Sequence, residues 1–190
     1  MKKFKSIKIL FVYLVCSSIL VKYPLWSSLG IIFIIYFLNF SEINKDFKNF
    51  RVGNIKYLWL SVPMIVLNYS LLYLISKVSP LPQNEVLIRS LINLNPVLYS
   101  LVFGILAPIS EELTFRYGFN GIKNKYVYII FTSLFFAAIH LASVSEILYI
   151  IPYFIMGLTF AYSYRKTDCL IYSIIIHVIS NLVSILFILI

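Results

Sequence analysis

Apolar and polar positions along this chain neither alternate nor recur in short amphipathic arcs; they come in blocks. Seven apolar blocks, at about 7–22, 25–40, 57–76, 91–113, 126–144, 146–163 and 169–190, are separated by short polar stretches. A helix needs roughly 20 apolar residues, at about 1.5 Å each, to cross the hydrocarbon of a bilayer. The last five blocks reach or approach that length. The first two are short and joined only by "KYP", so they read as a tilted pair or a hairpin that barely spans. Continuous blocks argue against a barrel, whose strands show ten-residue alternating segments. The pattern predicts an all-α, polytopic transmembrane helical bundle with about seven membrane segments.

Composition sharpens this picture. Of 190 residues, 61% are hydrophobic and 12% charged, and the mean hydropathy is +0.94. A soluble domain of this size has too little interior to hide so much apolar surface. The net charge of +9 is unevenly placed. With a cytoplasmic N-terminus and seven crossings, the inner pieces hold Lys2, Lys3, Lys5, Lys8, Lys45, Lys48, Arg51, Lys56, Arg116, Lys123, Lys125, Arg165 and Lys166. Only Lys22, Lys77 and Arg89 fall outside. That bias follows the positive-inside rule and sets the basic loops against anionic headgroups. The expected partner is therefore the lipid bilayer, not nucleic acid, and the expected location is a multi-pass membrane position; a composition rich in Ile, Lys, Asn and Tyr points to a bacterial cell membrane.

The N-terminal "MKKFKSIKILFVYLVCSS" has the basic and apolar regions of a signal peptide in order. Further spans follow and no small-x-small cleavage site stands out, so it is read as the first membrane segment. Val15 before Cys16 does not suit a lipoprotein cysteine. Cys16 and Cys169 form no CxxC or disulfide pattern. The terminal "ILFILI" offers no prenylatable cysteine, so the chain is not expected to be a lipidated CaaX substrate.

Two polar breaks organise the rest. "SEINKDFKNFRVGNIK", 41–56, is expected as a cytoplasmic loop. "SKVSPLPQNEVLIRS", 76–90, is expected as an outer loop with room for a short interfacial helix. No internal repeat supports a transporter of inverted halves. The chain divides into N-terminal membrane segments with their loop, 1–90, and a chemically richer core, 91–190. That core contains Glu111, Glu112, Arg116 and both histidines, His140 and His177.

An ionisable residue near the centre of a membrane helix costs roughly 2.5–3.5 kcal/mol on insertion scales, so such residues seek one another or a wet cavity. Glu112 and Arg116 are four apart and can pair on one helix face. Glu111 points about 100° away and lacks a local partner. Pro108 is expected to kink this helix. In "FFAAIH" Phe136 and His140 share a face, with Ala137 and Ala138 permitting close helix approach. In "HVISN" His177 and Asn181 share another.

A carboxylate and an imidazole can deprotonate a water for amide attack. A second imidazole and a carboxamide can donate to the oxyanion that forms. Alternatively, Glu111, His140 and His177 supply three zinc ligands with an open water position. Both arrangements hydrolyse peptide bonds, and the sequence does not choose between them. There is no GxSxG, P-loop or GxGxxG, and Asp46 and Asp168 are expected in loops, away from any aspartyl dyad.

The order E-E-x-x-x-R (111–116), F-x-x-x-H (136–140) and H-x-x-x-N (177–181) resembles the CAAX protease and bacteriocin-processing family, whose members are similar to the type II CAAX prenyl endopeptidases and are often called intramembrane metalloproteases. The likeness covers about 91–190. It implies Glu111 as the catalytic glutamate acting with His140. It implies His177 and Asn181 at the oxyanion, or His177 at a zinc. Glu112 and Arg116 match motif positions read as a local ion pair, with Phe136 in support. The expected substrate is a peptide or membrane protein. Two other readings stand beside proteolysis: a membrane immunity or binding protein for a bacteriocin-like peptide, and a small transporter using the polar cluster as a relay. Nothing in the sequence sets the oligomeric state. With straight helices, Glu111 and His140 would differ in depth by ~10–15 Å at 1.5 Å per residue.

Overall fold

The computed structural model describes residues 2–19 and 23–190. Lys22, assigned above to the outer side, lies outside the described residues, as do the side chains of Lys2, Lys3 and Lys5. The helices are α1 (Lys2–Ile19), α2 (Pro24–Leu38), α3 (Phe40–Phe47), α4 (Ser61–Ile75), α5 (Gln83–Leu94), α6 (Pro96–Tyr117), α7 (Lys125–Ile139), α8 (Ile150–Thr167) and α9 (Leu170–Leu189). Stretches of 3₁₀ helix, Val52–Leu60 and Val144–Tyr149, lead into α4 and α8. No strand occurs among the described residues.

Each of the seven apolar blocks is helical, yet fewer are full-length spans. Val52–Ile75, Pro96–Tyr117, Val144–Thr167 and Leu170–Leu189 are long and apolar enough to cross a membrane. The α2–α3 pair adds a fifth if its 94° bend is taken within one span. Among the described residues, the expected seven thus becomes four or five. Helix α1 offers only Ile7–Ser17 as an apolar stretch. Helix α7 has 15 residues, about 22 Å against a hydrocarbon core of about 30 Å. Large apolar side chains such as Phe33, Phe37, Trp59 and Phe187 face outward. With the spans, this marks an integral membrane protein whose solvent on the sides is lipid.

Local chemistry sets the helix ends. Pro24 and Pro96 occupy first-turn positions, where a missing N–H does no harm. Asn95 caps α6 by accepting from Leu98 N–H, and Asn124 caps α7 by accepting from Tyr126 and Val127 N–H. Asp168 ends α8 at φ 48°, the left-handed conformation that Asp tolerates better than most residues. The chain then turns directly into α9. The expected loop 41–56 is partly helical: α3 carries Asp46, whose carboxylate accepts from Leu170 N–H at 2.6 Å and Tyr164 O–H at 2.9 Å. It thereby satisfies a free donor at the start of α9, where a negative charge is also favoured. The outer break 76–90 does contain a helix, α5.

These contacts define two ends. At one, the 39–51 region meets the turns 118–124 and 167–170: Asn49 donates to Asp168 O, and Arg165 donates to Asn120 O and Ile122 O. Lys45, Lys48 and Lys123 belong to the same segments, and Lys125 and Lys166 directly adjoin them. At the other, 76–84 meets 142–153 through Glu146, whose carboxylate accepts from Gln83 N–H at 2.9 Å and Ala142 N–H at 2.8 Å. The interior is tightest between α7 and α8. A Cβ on Gly157 would lie 2.9 Å from Ser133 Cα, so only glycine allows the two backbones this close. Ala137 is buried as expected; Ala138 faces outward and is not part of the helix contact.

Candidate active site

Helix α6 departs from regular α-helix twice. Over Val102–Leu106 and Leu113–Tyr117 its hydrogen bonds shift to i→i−5, as in Ala107 N–H to Val102 O and Gly118 N–H to Leu113 O. Such π-turns need a local cause and often mark functional positions. The first has its cause in the sequence. In this register Phe103 C=O would receive residue 108, and Pro108 has no N–H. Asn181, on α9, donates to that carbonyl instead at 2.9 Å. Gly104 permits the approach, since a Cβ there would sit 2.7 Å from Leu182 Cδ2. Pro108 therefore does perturb the helix, as a π-turn repaired from the neighbouring helix.

The two glutamates that follow diverge. Glu112 is fully buried and pairs with equally buried Arg116, Oε2 to Nε, at 3.2 Å. Its other oxygen lies 3.1 Å from His177 Nδ1. The expected local ion pair is real, but it is also a support for His177 from 65 residues away. Arg116 Nη1 donates to Thr132 O, and its guanidinium lies over the rings of Phe136 and Phe160. Five donors on one fork let a single arginine tie α6, α7 and the Glu112–His177 contact together.

Glu111, without a partner on its own helix, finds two elsewhere. Its Oε2 lies 3.7 Å from His140 Nε2 and 3.7 Å from His177 Nε2. His140 Nδ1 is 2.6 Å from Phe136 O, which can only accept, so this nitrogen carries the proton. His177 Nδ1 likewise faces the Glu112 carboxylate. In the neutral rings both Nε2 lone pairs are left to face Glu111 and the cavity. Phe136 fixes both imidazoles, packing 4.3 Å from the His140 ring and 5.7 Å, edge-on, from His177.

The depth gap expected between Glu111 and His140 closes for a directional reason. Side chains lean toward the N-terminus of their own helix. Across the turn joining α6 to α7, Glu111 and His140 therefore lean toward one another. The short α7 ends with His140 as its C-cap rather than running on to residue 144.

Glu111, His140, His177, Asn181 and Phe136 all line one cavity of about 390 Å³. It extends toward the end formed by 76–89 and 149–153, opposite the basic turns, between α4, α5, α8 and α9. Among the described residues, no group of three or more His, Cys, Asp and Glu side chains is set to hold a metal ion.

Residues that sequence reasoning passed over also line this cavity. Tyr153 stacks 4.7 Å from the His140 ring, and its hydroxyl pairs with Asn84. From α4 come Asn68 and Tyr69, the latter donating to Ser184 on α9. Asn68 stands out in the sequence only as an uncharged polar residue inside an apolar block, which demands no partner. Tyr153 does not stand out, since a tyrosine in an apolar block carries no signal of its neighbour.

Residues 93–183 match the family described as type II CAAX prenyl endopeptidase Rce1-like. The match covers 91 of the 190 residues, a little under half of the chain. All three motifs lie inside the matched region, and the helices before α5 lie outside it. The UPF0177 protein YxdF of Lactococcus lactis is 38% identical over 82 residues, covering 43% of this chain and 45% of that protein. An uncharacterized protein of Mycoplasma capricolum is 36% identical over 95 residues, 48% of this chain and 28% of the relative. The matched region thus spans less than half the length of either relative. No solved structure matches significantly.

Proposed function

We propose that the protein is an intramembrane endopeptidase, with residues 91–190 as its catalytic core. The observation that carries this reading is the placing of the Glu111 carboxylate between the Nε2 atoms of His140 and His177, at the wall of a cavity. An Rce1-like match over the same residues supports it.

In this reading Glu111 and His140 hold a water, and Glu111 takes its proton as the oxygen attacks the scissile carbonyl. His177, with Nδ1–H fixed on Glu112, meets the developing oxyanion through Nε2–H when its ring is protonated. Asn181 adds its second amide hydrogen, the first being used on Phe103 O. Collapse breaks the C–N bond, and the proton held by Glu111 passes to the leaving amine. The products are a new carboxylate and a new amine. Glu112 and Arg116 position His177 without touching substrate. The N-terminus is cytoplasmic, and the substrate is a peptide or a membrane-protein segment. The bacterial relatives agree with a bacterial membrane.

The test is a peptide profile of membranes that contain the wild-type protein, the Glu111→Ala variant or neither. Cleavage products specific to wild type are expected. Identical profiles for wild type and Glu111→Ala would overturn the proposal.

A further inference from the structure

Asn68 lies on α4, outside the Rce1-like region, and lines the same cavity as Glu111, His140, His177 and Asn181. It is 5% exposed, and its Oδ1 is buried without a hydrogen-bond partner among the described residues. An amide oxygen left this way in an apolar bundle is disfavoured. Its neighbours on α4 show the contrast: Tyr69 spends its hydroxyl on Ser184, and Ser70 returns its own to Val66 O. Asn68 alone of these three keeps a polar group that the fold does not use.

We propose that Asn68 is a substrate-positioning residue that holds the backbone of an extended peptide in the cavity. This rests on the peptidase reading of the site and adds to it the form of the substrate. A carboxamide offers an acceptor and two donors, and a half-turn about its terminal bond exchanges them. It therefore matches the N–H and C=O that one residue of an extended peptide presents along one edge. Much of the remaining wall is apolar, with Leu72, Ile88, Ile185 and Ile188, and its charged residues Glu85 and Arg89 neutralise one another at 3.0 Å, so it suits apolar side chains. Asn68 adds polar recognition to that wall from a helix other than those carrying the motifs. The substrate class is a peptide read through its main chain, with tolerance for apolar side chains.

The inference makes stability and binding move in opposite directions. Asn68→Leu keeps the branched shape of the side chain and removes the unpaired amide next to a cavity with room for the methyl groups, so folding stability should hold or rise. Binding should weaken about tenfold for one lost hydrogen-bonding group. The probe is an octapeptide of leucine and alanine, amidated at its C-terminus and capped at its N-terminus by an uncharged fluorescent acyl group (a BODIPY), so that it offers backbone rather than charge. Its binding is measured by anisotropy with the full-length protein in lipid nanodiscs, in a Glu111→Gln background that separates binding from turnover. Thermal unfolding is followed in parallel. Expected is saturable binding that Asn68→Leu weakens about tenfold, an undiminished unfolding temperature, and, in the Glu111 protein, a raised KM with little change in kcat. Unchanged affinity, lost affinity with a lowered unfolding temperature, or no saturable binding at all would each overturn it. Asn68-dependent binding without any cleavage by the Glu111 protein would instead sink the peptidase reading and leave Asn68 as a peptide contact.

Discussion

Replacing Glu112 by Gln changes one atom and should disturb both stability and catalysis, through different partners. Glu112 and Arg116 are both fully buried, 3.2 Å apart, and Arg116 Nη2 already has no partner. Removing the carboxylate charge leaves a buried guanidinium uncompensated. Breaking a buried pair in this way costs about 3–5 kcal/mol, whereas removing both charges together is often near neutral. Glu112→Gln should therefore lower the unfolding free energy by about 3–5 kcal/mol. The double variant Glu112→Gln with Arg116→Met should recover most of that loss, because the glutamine oxygen still accepts from His177 and methionine fills the space between Phe136 and Phe160. Catalysis should not recover with it. His177 Nδ1 loses its charged acceptor in both variants, and partners that orient an imidazole are worth on the order of 10–100-fold. The assay is a double-mutant cycle of unfolding in mixed micelles, with cleavage rates measured on the same preparations. Glu112→Gln as stable as wild type, or a double variant as unstable as the single, would refute the buried-pair reasoning. Full activity in the double variant would refute the role given to Glu112.

Three other outcomes are expected. Gly157→Ala should lower the unfolding free energy by about 1–3 kcal/mol, because the new methyl meets Ser133 at 2.9 Å; equal stability in the same micelles would show that α7 and α8 part freely. In a background with Cys16 and Cys169 changed to Ser, an impermeant maleimide added to intact cells should label Ser76→Cys at the cavity end. It should label Lys123→Cys at the basic end only after permeabilisation, and the reverse pattern would invert the topology. The chelator 1,10-phenanthroline should leave the cleavage rate unchanged, because in the proposed mechanism the Glu111 carboxylate acts as the base on water without a metal; inhibition reversed by added zinc would contradict that.

Blocks of apolar residues were enough to read the all-α membrane architecture, because satisfying the backbone in lipid leaves a helical bundle as the answer to such a pattern. The number of spans was not readable to the same degree. Block length counts apolar residues and cannot see that α2 and α3 meet at 94° after Asn39, or that α7 stops at His140. At the site, the isolated charge of Glu111 correctly called for partners from other helices, and His140 and His177 meet it. The second role of Glu112 was hidden, since a partner four residues away already accounted for its charge. Asn181 was read through the resemblance as a group at the oxyanion. Its bond to Phe103 O depends on a π-turn that no periodicity announces. Asn68 was overlooked because a carboxamide in an apolar block has no charge to explain.

The most direct measurement uses purified protein in lipid vesicles, a defined pool of apolar peptides and water enriched in ¹⁸O, with mass spectrometry of the new C-termini. Wild type should produce fragments carrying one solvent oxygen. Glu111→Gln, which keeps the shape of the side chain and removes the base, should insert and fold normally yet lose cleavage by about 10²–10⁴-fold. Labelled fragments formed at the wild-type rate by Glu111→Gln would contradict the account at its centre.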